Sequence, residues 1–264
     1  MSYTCGEVCQ RIDEYAPPHL ALEGDPIGLH LGSYDQKVSR LFMALELTPQ
    51  AAREAFAFQP DMVFVHHTPF FKPFKQLRED YGHDRIVLEL IRRGIALYTA
   101  HTNLDCVKNG VNDVLAELLG IENTKILQPL NQNINYAGLG RIGALKQPMT
   151  LVEFAAFTAQ KLGTSQVRYC GEREKQISTV ACCGGAGAFL MTEAKAKGAD
   201  VYVTSDISHH EGVHAIELGL GLVDGGHFAT ENPVISVVAA YLKEQMPDLT
   251  VAVSSVSGNP FQTL

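Results

Sequence analysis

The chain has 264 residues and a mass of 28.8 kDa, with 46% hydrophobic and 19% charged residues and a mean hydropathy of +0.01. That much apolar sequence can bury a sizeable core, as one large domain or two small ones, and excludes disorder over most of the length. Twenty-one Lys+Arg against 29 Asp+Glu give a formal charge of −8 with no basic stripe, which argues against nucleic-acid binding by phosphate neutralisation.

From the amino end, residues 1–17 mix Glu7, Arg11, Asp13 and Glu14 with apolar side chains. This reads as an amphipathic helix; a signal peptide would open on basic residues and continue as an apolar block. No apolar run approaches the length of a membrane span, so a soluble, cytoplasmic protein without membrane partners is expected. Short apolar runs at 61–65, 95–100, 178–182, 200–204 and 218–223 are predicted strands. Amphipathic stretches at 49–58, 84–93, 111–119, 151–162 and 234–245 are predicted helices. Strands that are apolar throughout and separated by helices predict an α/β fold with parallel, buried strands.

The polar interval around Asn131, Gln132, Asn133 and Asn135 predicts a domain boundary, dividing the chain into subdomains 1–128 and 129–264. A weak internal repeat supports the division. Asp61-Met-Val-Phe-Val-His66-His67 in the first half is matched by Asp200-Val-Tyr-Val-Thr-Ser-Asp206 in the second. Gly94-Ile-Ala-Leu-Tyr-Thr-Ala-His101 with Asp105 is matched by Gly219-Leu-Gly-Leu-Val-Asp-Gly-Gly-His227 with Glu231. The repeat predicts two similar α/β subdomains, each presenting the carboxyl ends of its strands toward a shared cleft, where open α/β sheets bind ligands.

Six of the ten histidines sit within a few residues of a predicted strand end: His66, His67, His101, His209, His210 and His227. His19, His30, His83 and His214 fall elsewhere and are assigned to surface or packing roles. Neighbours on a strand point to opposite faces, but at a strand end, where the chain turns, both imidazoles of His66-His67 can swing toward one cleft. His227 and Glu231, spaced i and i+4, share one face of a helical turn, and Gly225-Gly226 ahead of them permits close backbone approach. With Asp105, these residues form a nitrogen and oxygen donor set without thiolates. Such a set suits Zn, Mn, Fe, Co or Ni in an open site better than a closed structural zinc site. Five donors including two carboxylates can hold two divalent ions, and His101 is placed beside them as a supporting group or proton shuttle.

The six cysteines include no C-x-x-C pair, which suits a reducing compartment. Cys182 and Cys183 continue an apolar run and read as buried packing residues; Cys106, beside Asp105, is an alternative nucleophile. The run Cys182-Cys183-Gly184-Gly185-Ala186-Gly187 reads as a strand leading into a glycine-rich turn. It serves either close packing or anion contact through backbone N–H groups. Asp206, His209, His210 and Glu211 form a further polar cluster at a strand end, assigned to the cleft but not to the ligand set.

These segments together resemble the NIF-three-like family, whose members are also called GTP cyclohydrolase 1 type-two homologues. The resemblance rests on Gly28-Leu29-His30-Leu31-Gly32, Val65-His66-His67-Thr68-Pro69-Phe70-Phe71 and Ala100-His101-Thr102-Asn103-Leu104-Asp105. It continues through Ser205-Asp206-Ile207-Ser208-His209-His210 and Asp224-Gly225-Gly226-His227-Phe228-Ala229-Thr230-Glu231, in an order that covers nearly the whole chain. It implies two similar α/β halves around a dinuclear metal site, a hexameric ring, and the compact form without a central insert domain. Family ligands fall on His66, His67, Asp105, His227 and Glu231. Gly24-Asp25-Pro26-Ile27 departs from the Trp-Asp-Asn-Val common in the family.

The expected activity is metal-dependent hydrolysis of a C–N, amide or phosphoester centre by a metal-bound hydroxide, on a small-molecule substrate such as a nucleotide. The competing expectation is a non-catalytic metal-binding ring that acts as a scaffold or regulator through protein partners. A cysteine-nucleophile enzyme using Cys106 is the third.

Overall fold

The computed structural model describes residues 2–165 and 167–262. In chain order the elements are β1 (Tyr3–Thr4), α1 (Cys5–Tyr15), β2 (Gly28–Leu31), β3 (Lys37–Val38), β4 (Arg40–Ala44), α2 (Pro49–Phe58), β5 (Met62–Val65), α3 (Gly82–Arg92) and β6 (Ala96–Thr99). They continue with α4 (Thr102–Cys106), α5 (Val111–Leu118), β7 (Ile121–Pro129), β8 (Gly138–Thr150), α6 (Leu151–Leu162), β9 (Arg168–Cys170), β10 (Gln176–Cys182) and α7 (Met191–Ala196). The remainder are β11 (Val201–Thr204), α8 (His209–Glu217), β12 (Gly221–Asp224), α9 (His227–Glu231), α10 (Pro233–Gln245) and β13 (Thr250–Val253). Among the described residues, no helix is long and apolar enough to cross a membrane.

Local chemistry sets many of these boundaries. Thr4 and Glu7 form a capping box at the start of α1, as do Thr150 with Glu153 at α6 and Ser208 with Glu211 at α8. The α2 helix starts with the Thr48 hydroxyl as its cap and Pro49 in the first turn, where no amide hydrogen is needed.

The chain divides into two compact units. Unit 1 comprises residues 1–104 and 234–258. Its five-stranded sheet has the order β13-β4-β5-β6-β2. Strands β13, β4, β5 and β6 are parallel, and β2 closes the edge antiparallel to β6, with a register shift between Leu29 and Leu31 at His30. Every residue of β5 and β6 is buried, as expected for parallel strands covered on both faces. Val63 and Val65 pack with Ala55 of α2 and Leu90 of α3. Met62, out of phase with them, meets the Cys5 thiol of α1, sulfur to sulfur at 3.9 Å.

Unit 2 comprises residues 105–233 and 259–264. Its six-stranded sheet has the order β7-β8-β10-β11-β12-β9. Strands β10, β11 and β12 are parallel, β9 closes one edge antiparallel to β12, and the antiparallel pair β7–β8 extends the other. Leu115 of α5 and Leu151 and Phe154 of α6 pack with Ile177, Val180, Val201 and Val223 of the sheet. The two sheets share a central arrangement, consistent with an internal repeat. Each has three consecutive parallel strands joined through helices and an antiparallel strand beside the third.

Two sequence expectations need correction. The units do not divide at residues 128 and 129: the boundaries fall after Leu104, within α4, and at Val234, within α10. The polar interval from 130 to 137 is the loop of the β7–β8 hairpin, closed by Leu130 N donating to Ala137 O at 3.1 Å. A solvent-facing hairpin loop and an interdomain linker have the same composition, so polarity alone does not separate them. The strand expected over 218–223 is Gly221–Asp224. Residues 218–220 end α8 instead, where Gly219 takes φ +61° and Leu220 N donates to Ala215 O at 2.9 Å.

Candidate metal centre

Within unit 1, the carboxyl ends of β5 and β6 carry the histidines. The chain turns immediately after Val65, and both His66 N and His67 N donate to Leu45 O, at 3.0 and 2.8 Å. This shared acceptor lets consecutive imidazoles approach each other, with ring centroids 4.8 Å apart. His101 lies just beyond β6, and its ring is 5.1 Å from that of His66 and 5.7 Å from that of His67. One nitrogen from each of the three falls within 4.8 Å of the others. His66 is completely buried.

Each ring is oriented by a contact at Nδ1. His66 Nδ1 lies 2.8 Å from Ala100 O, a pure acceptor, so this nitrogen carries the proton. His67 Nδ1 lies 3.2 Å from Glu46 Oε2, and His101 Nδ1 lies 2.8 Å from Asp25 Oδ1. An acceptor at Nδ1 fixes the tautomer that leaves the Nε2 lone pair for a metal or a substrate proton. Burial pushes the Asp25 carboxyl up, but hydrogen bonds from His101 and from the Thr102 hydroxyl and backbone N–H outweigh it and hold it below its ordinary value.

Unit 2 supplies the acidic members. His227 opens α9 directly after Gly226, which takes φ +81°. One helical turn later Glu231 is 4% exposed, and its Oε2 lies 3.0 Å from His227 Nε2. Oxygens of Asp105 and Glu231 lie within 4.8 Å of each other. His227 Nδ1 lies 2.7 Å from Asp206 Oδ2, so the fourth histidine also has its Nδ1 beside an acceptor. Asp206 reaches it from a left-handed backbone with φ +57°.

The glycine-rich turn is the floor of this acidic group. Gly184 N donates to Asn112 Oδ1 at 3.1 Å, Gly185 N to Thr230 Oγ1 at 3.1 Å, and Gly187 N to Thr204 Oγ1 at 2.9 Å. These amides are committed to protein acceptors, which settles the two uses read from the sequence in favour of close packing. A Cβ at Gly185 would overlap Glu231 Oε1 and come within 3.4 Å of His227 Nε2. Burial pushes the Cys183 thiol well above its ordinary value, and the Asp105 and Glu231 carboxylates add to the rise. Burial pushes Cys182 up to about 12.

The donor chemistry fits a divalent ion. Imidazole nitrogens and carboxylate oxygens with no thiolate suit borderline to hard metals. Unit 1 brings His66, His67 and His101 together, and unit 2 brings Asp105, His227 and Glu231 together. His101 stands among the unit 1 donors as well as beside them. Cys106 is completely buried, which leaves its sulfur without the exposure a nucleophile needs. His209 and His210 pair with each other in the first turn of α8, their rings 5.4 Å apart, while Glu211 caps that helix. Sequence reading missed the Nδ1 partners Asp25 and Glu46 and gave Asp206 no defined role. A separate cavity of about 590 Å³ in unit 2, lined by Lys108, Asp113, Tyr136 and Arg141 among others, includes none of the candidate ligands.

Residues 3–260 match the family model described as Duf34/NIF3 (NGG1p interacting factor 3). A relative from Streptococcus pneumoniae named GTP cyclohydrolase 1 type 2 homolog is 36% identical over 263 residues, covering 97% of each chain. Among solved structures, a Bacillus cereus protein related to NIF3 aligns over 99% of both chains with a TM-score of 0.93 at 26% identity. Reduced HcgD from Methanocaldococcus jannaschii aligns over 97% of this chain and 99% of its own, with a TM-score of 0.82 at 31% identity.

Proposed function

The chain belongs to the Duf34/NIF3 family, and from that membership together with the donor geometry we propose a dinuclear metal-dependent hydrolase of a small-molecule substrate. His66, His67, Asp105, His227 and Glu231 would hold two divalent ions of the Zn, Mn, Fe, Co or Ni class. When bound, such ions supply Lewis acidity and an activated water nucleophile at neutral pH. The observation that carries the reading is the pairing of Nδ1 with an acceptor, Ala100 O for His66 and Glu46 for His67, together with His227 held between Asp206 at Nδ1 and Glu231 at Nε2. A histidine needed only for packing has no use for a fixed Nε2 lone pair, whereas a ligand does.

His101 is the proton carrier in this reading. Asp25 holds its Nδ1, so Nε2 is the atom that takes or gives a proton beside the His66 and His67 rings. The chain offers no accessible thiol at this site, Cys106 and Cys183 being buried. The reading includes a cytoplasmic homo-oligomer, a hexamer by resemblance. Self-association, of whatever order, would cover the exposed apolar side chains Phe189, Val213 and Ile216 of unit 2.

Replacing His101 separates chemistry from scaffolding. With His101→Ala, hydrolysis of a nucleotide and phosphoester panel is expected to fall by about 10²-fold or more, the usual worth of a general acid or base, with metal content retained. A variant that turns over like the wild type and differs only in assembly would favour a metal-dependent scaffold and end the catalytic reading.

A further inference from the structure

The turn after His66-His67 continues Thr68-Pro69-Phe70-Phe71-Lys72-Pro73-Phe74-Lys75, with three phenylalanines and two lysines in six residues. Two of the phenylalanines anchor the loop. Phe70 stacks on His30 with centroids 5.1 Å apart and an interplanar angle of 15°. Phe74 meets Phe70 edge-on at 5.2 Å and stacks against His83 at 6.0 Å. His83 Nε2 lies 3.2 Å from Pro69 O, and Phe70 N donates to Thr68 Oγ1 at 3.1 Å. This ladder of rings and hydrogen bonds holds the loop backbone from both sides.

Phe71 is different. It is 49% exposed, and its ring meets His101 edge-on at 5.0 Å. An aromatic ring kept half in water on an anchored loop, directly beside the histidine cluster, presents a π surface to whatever enters. Its neighbours in the loop, Lys72 and Lys75, are exposed, and neither forms a salt bridge among the described residues. In a chain of formal charge −8, two exposed lysines on the same loop as an open ring form a local combination of stacking and cationic chemistry.

We propose that Phe71 is the stacking platform for the flat heteroaromatic ring of an anionic substrate, and that Lys72 and Lys75 take its phosphate. The proposal rests on the metal-hydrolase reading only for the site's location; the binding itself needs no metal. A purely apolar ligand would not use the lysines, and inorganic phosphate would not use the ring. A nucleoside monophosphate uses both, because every base has a π face and the phosphate is drawn to ammonium groups.

The test is calorimetric binding to the full chain after chelator treatment, with residual metal quantified. The probes are adenosine monophosphate, guanosine monophosphate, the two nucleosides, and inorganic phosphate. Saturable binding of at least one nucleotide is expected. Phe71→Ala should weaken it about tenfold or more, while Phe71→Tyr retains it. The Lys72→Ala/Lys75→Ala double variant should weaken the nucleotide and leave its nucleoside unchanged. Circular dichroism and a wild-type metal complement on reloading establish that each variant is folded. No saturable nucleotide binding, or Phe71→Ala and double-lysine variants that bind like the wild type, would overturn the proposal. Binding that matches these expectations in a protein without hydrolytic turnover would instead sink the hydrolase reading and leave this one standing.

Discussion

Gly185 sits where the backbone turns with φ +66°, a conformation that costs an L-residue roughly 1–2 kcal/mol. Its carbonyl accepts from Ser205 N at 2.9 Å and from the Thr204 hydroxyl at 2.9 Å, and its amide is tied to Thr230. A methyl group here would also have to displace the Glu231 carboxylate. Gly185→Ala is therefore expected to lower bound metal per chain by at least half, read by elemental analysis. Gly82→Ala is the control, because a Cβ there meets nothing within 4 Å at the start of α3. It should leave the metal unchanged and raise stability by a few tenths to about 1 kcal/mol. A Gly185→Ala protein with a full metal complement would show that the turn does not shape the site. The candidate ligands were legible because each lies just past a strand end or shares a helical turn. Their orienting partners were not, since Glu46 lies 21 residues from His67, Asp25 76 from His101, and Asp206 21 from His227. No local spacing rule connects residues so far apart.

At the level of elements, the sequence marks helices best where their caps are local. Helices α2 and α6 match their predicted spans of 49–58 and 151–162. The Thr48-Pro49 and Thr150/Glu153 signals lie within one turn of the start, and Gly163, in the left-handed region, ends α6. Strands β2 and β13 were not legible, because short edge segments gain their identity from a partner strand far along the chain. Once β13 is paired with β4, Glu54 of α2 fastens the residues just beyond the strand. Its carboxylate accepts from the Ser254 hydroxyl at 2.6 Å, from the Ser255 hydroxyl at 2.6 Å and from Ser255 N at 3.0 Å. Burial raises the Glu54 pKa, but these hydrogen bonds outweigh it and hold it below the ordinary value. A carboxyl whose folded pKa is depressed stabilises the fold above its unfolded pKa and loses that contribution as pH falls through the folded value. Glu54→Gln is expected to lower Tm at neutral pH, with the gap to the wild type closing as the solution is acidified below about pH 4, the ordinary glutamate range. A gap that stays constant or widens on acidification would contradict this role for the ionised carboxylate.

Over the whole chain, the α/β class was readable from apolar runs at 61–65, 95–100, 178–182 and 200–204, which are β5, β6, β10 and β11, whereas β4, the first of the three consecutive parallel strands in its sheet, was not predicted. Nor was the division into units. Residues 105–118 and 234–253 each come directly after one half of the repeat in sequence but belong to the compact unit built around the other half. Composition carries no trace of that exchange, because α4 and α10 run through the boundaries without a linker. The exchange also means that His101 and Asp105, four residues apart, belong to different units, as do Glu231 and Val234. His66, His67, Asp105, His227 and Glu231 are the proposed ligands of two divalent ions, an assignment open to a direct count. It is tested most directly by elemental analysis of protein purified without an affinity tag or added metal, alongside His66→Ala and Glu231→Gln. Close to two divalent ions per wild-type chain and a clear loss in each variant are predicted. A wild-type protein holding almost none, or a stoichiometry unmoved by either substitution, would contradict it.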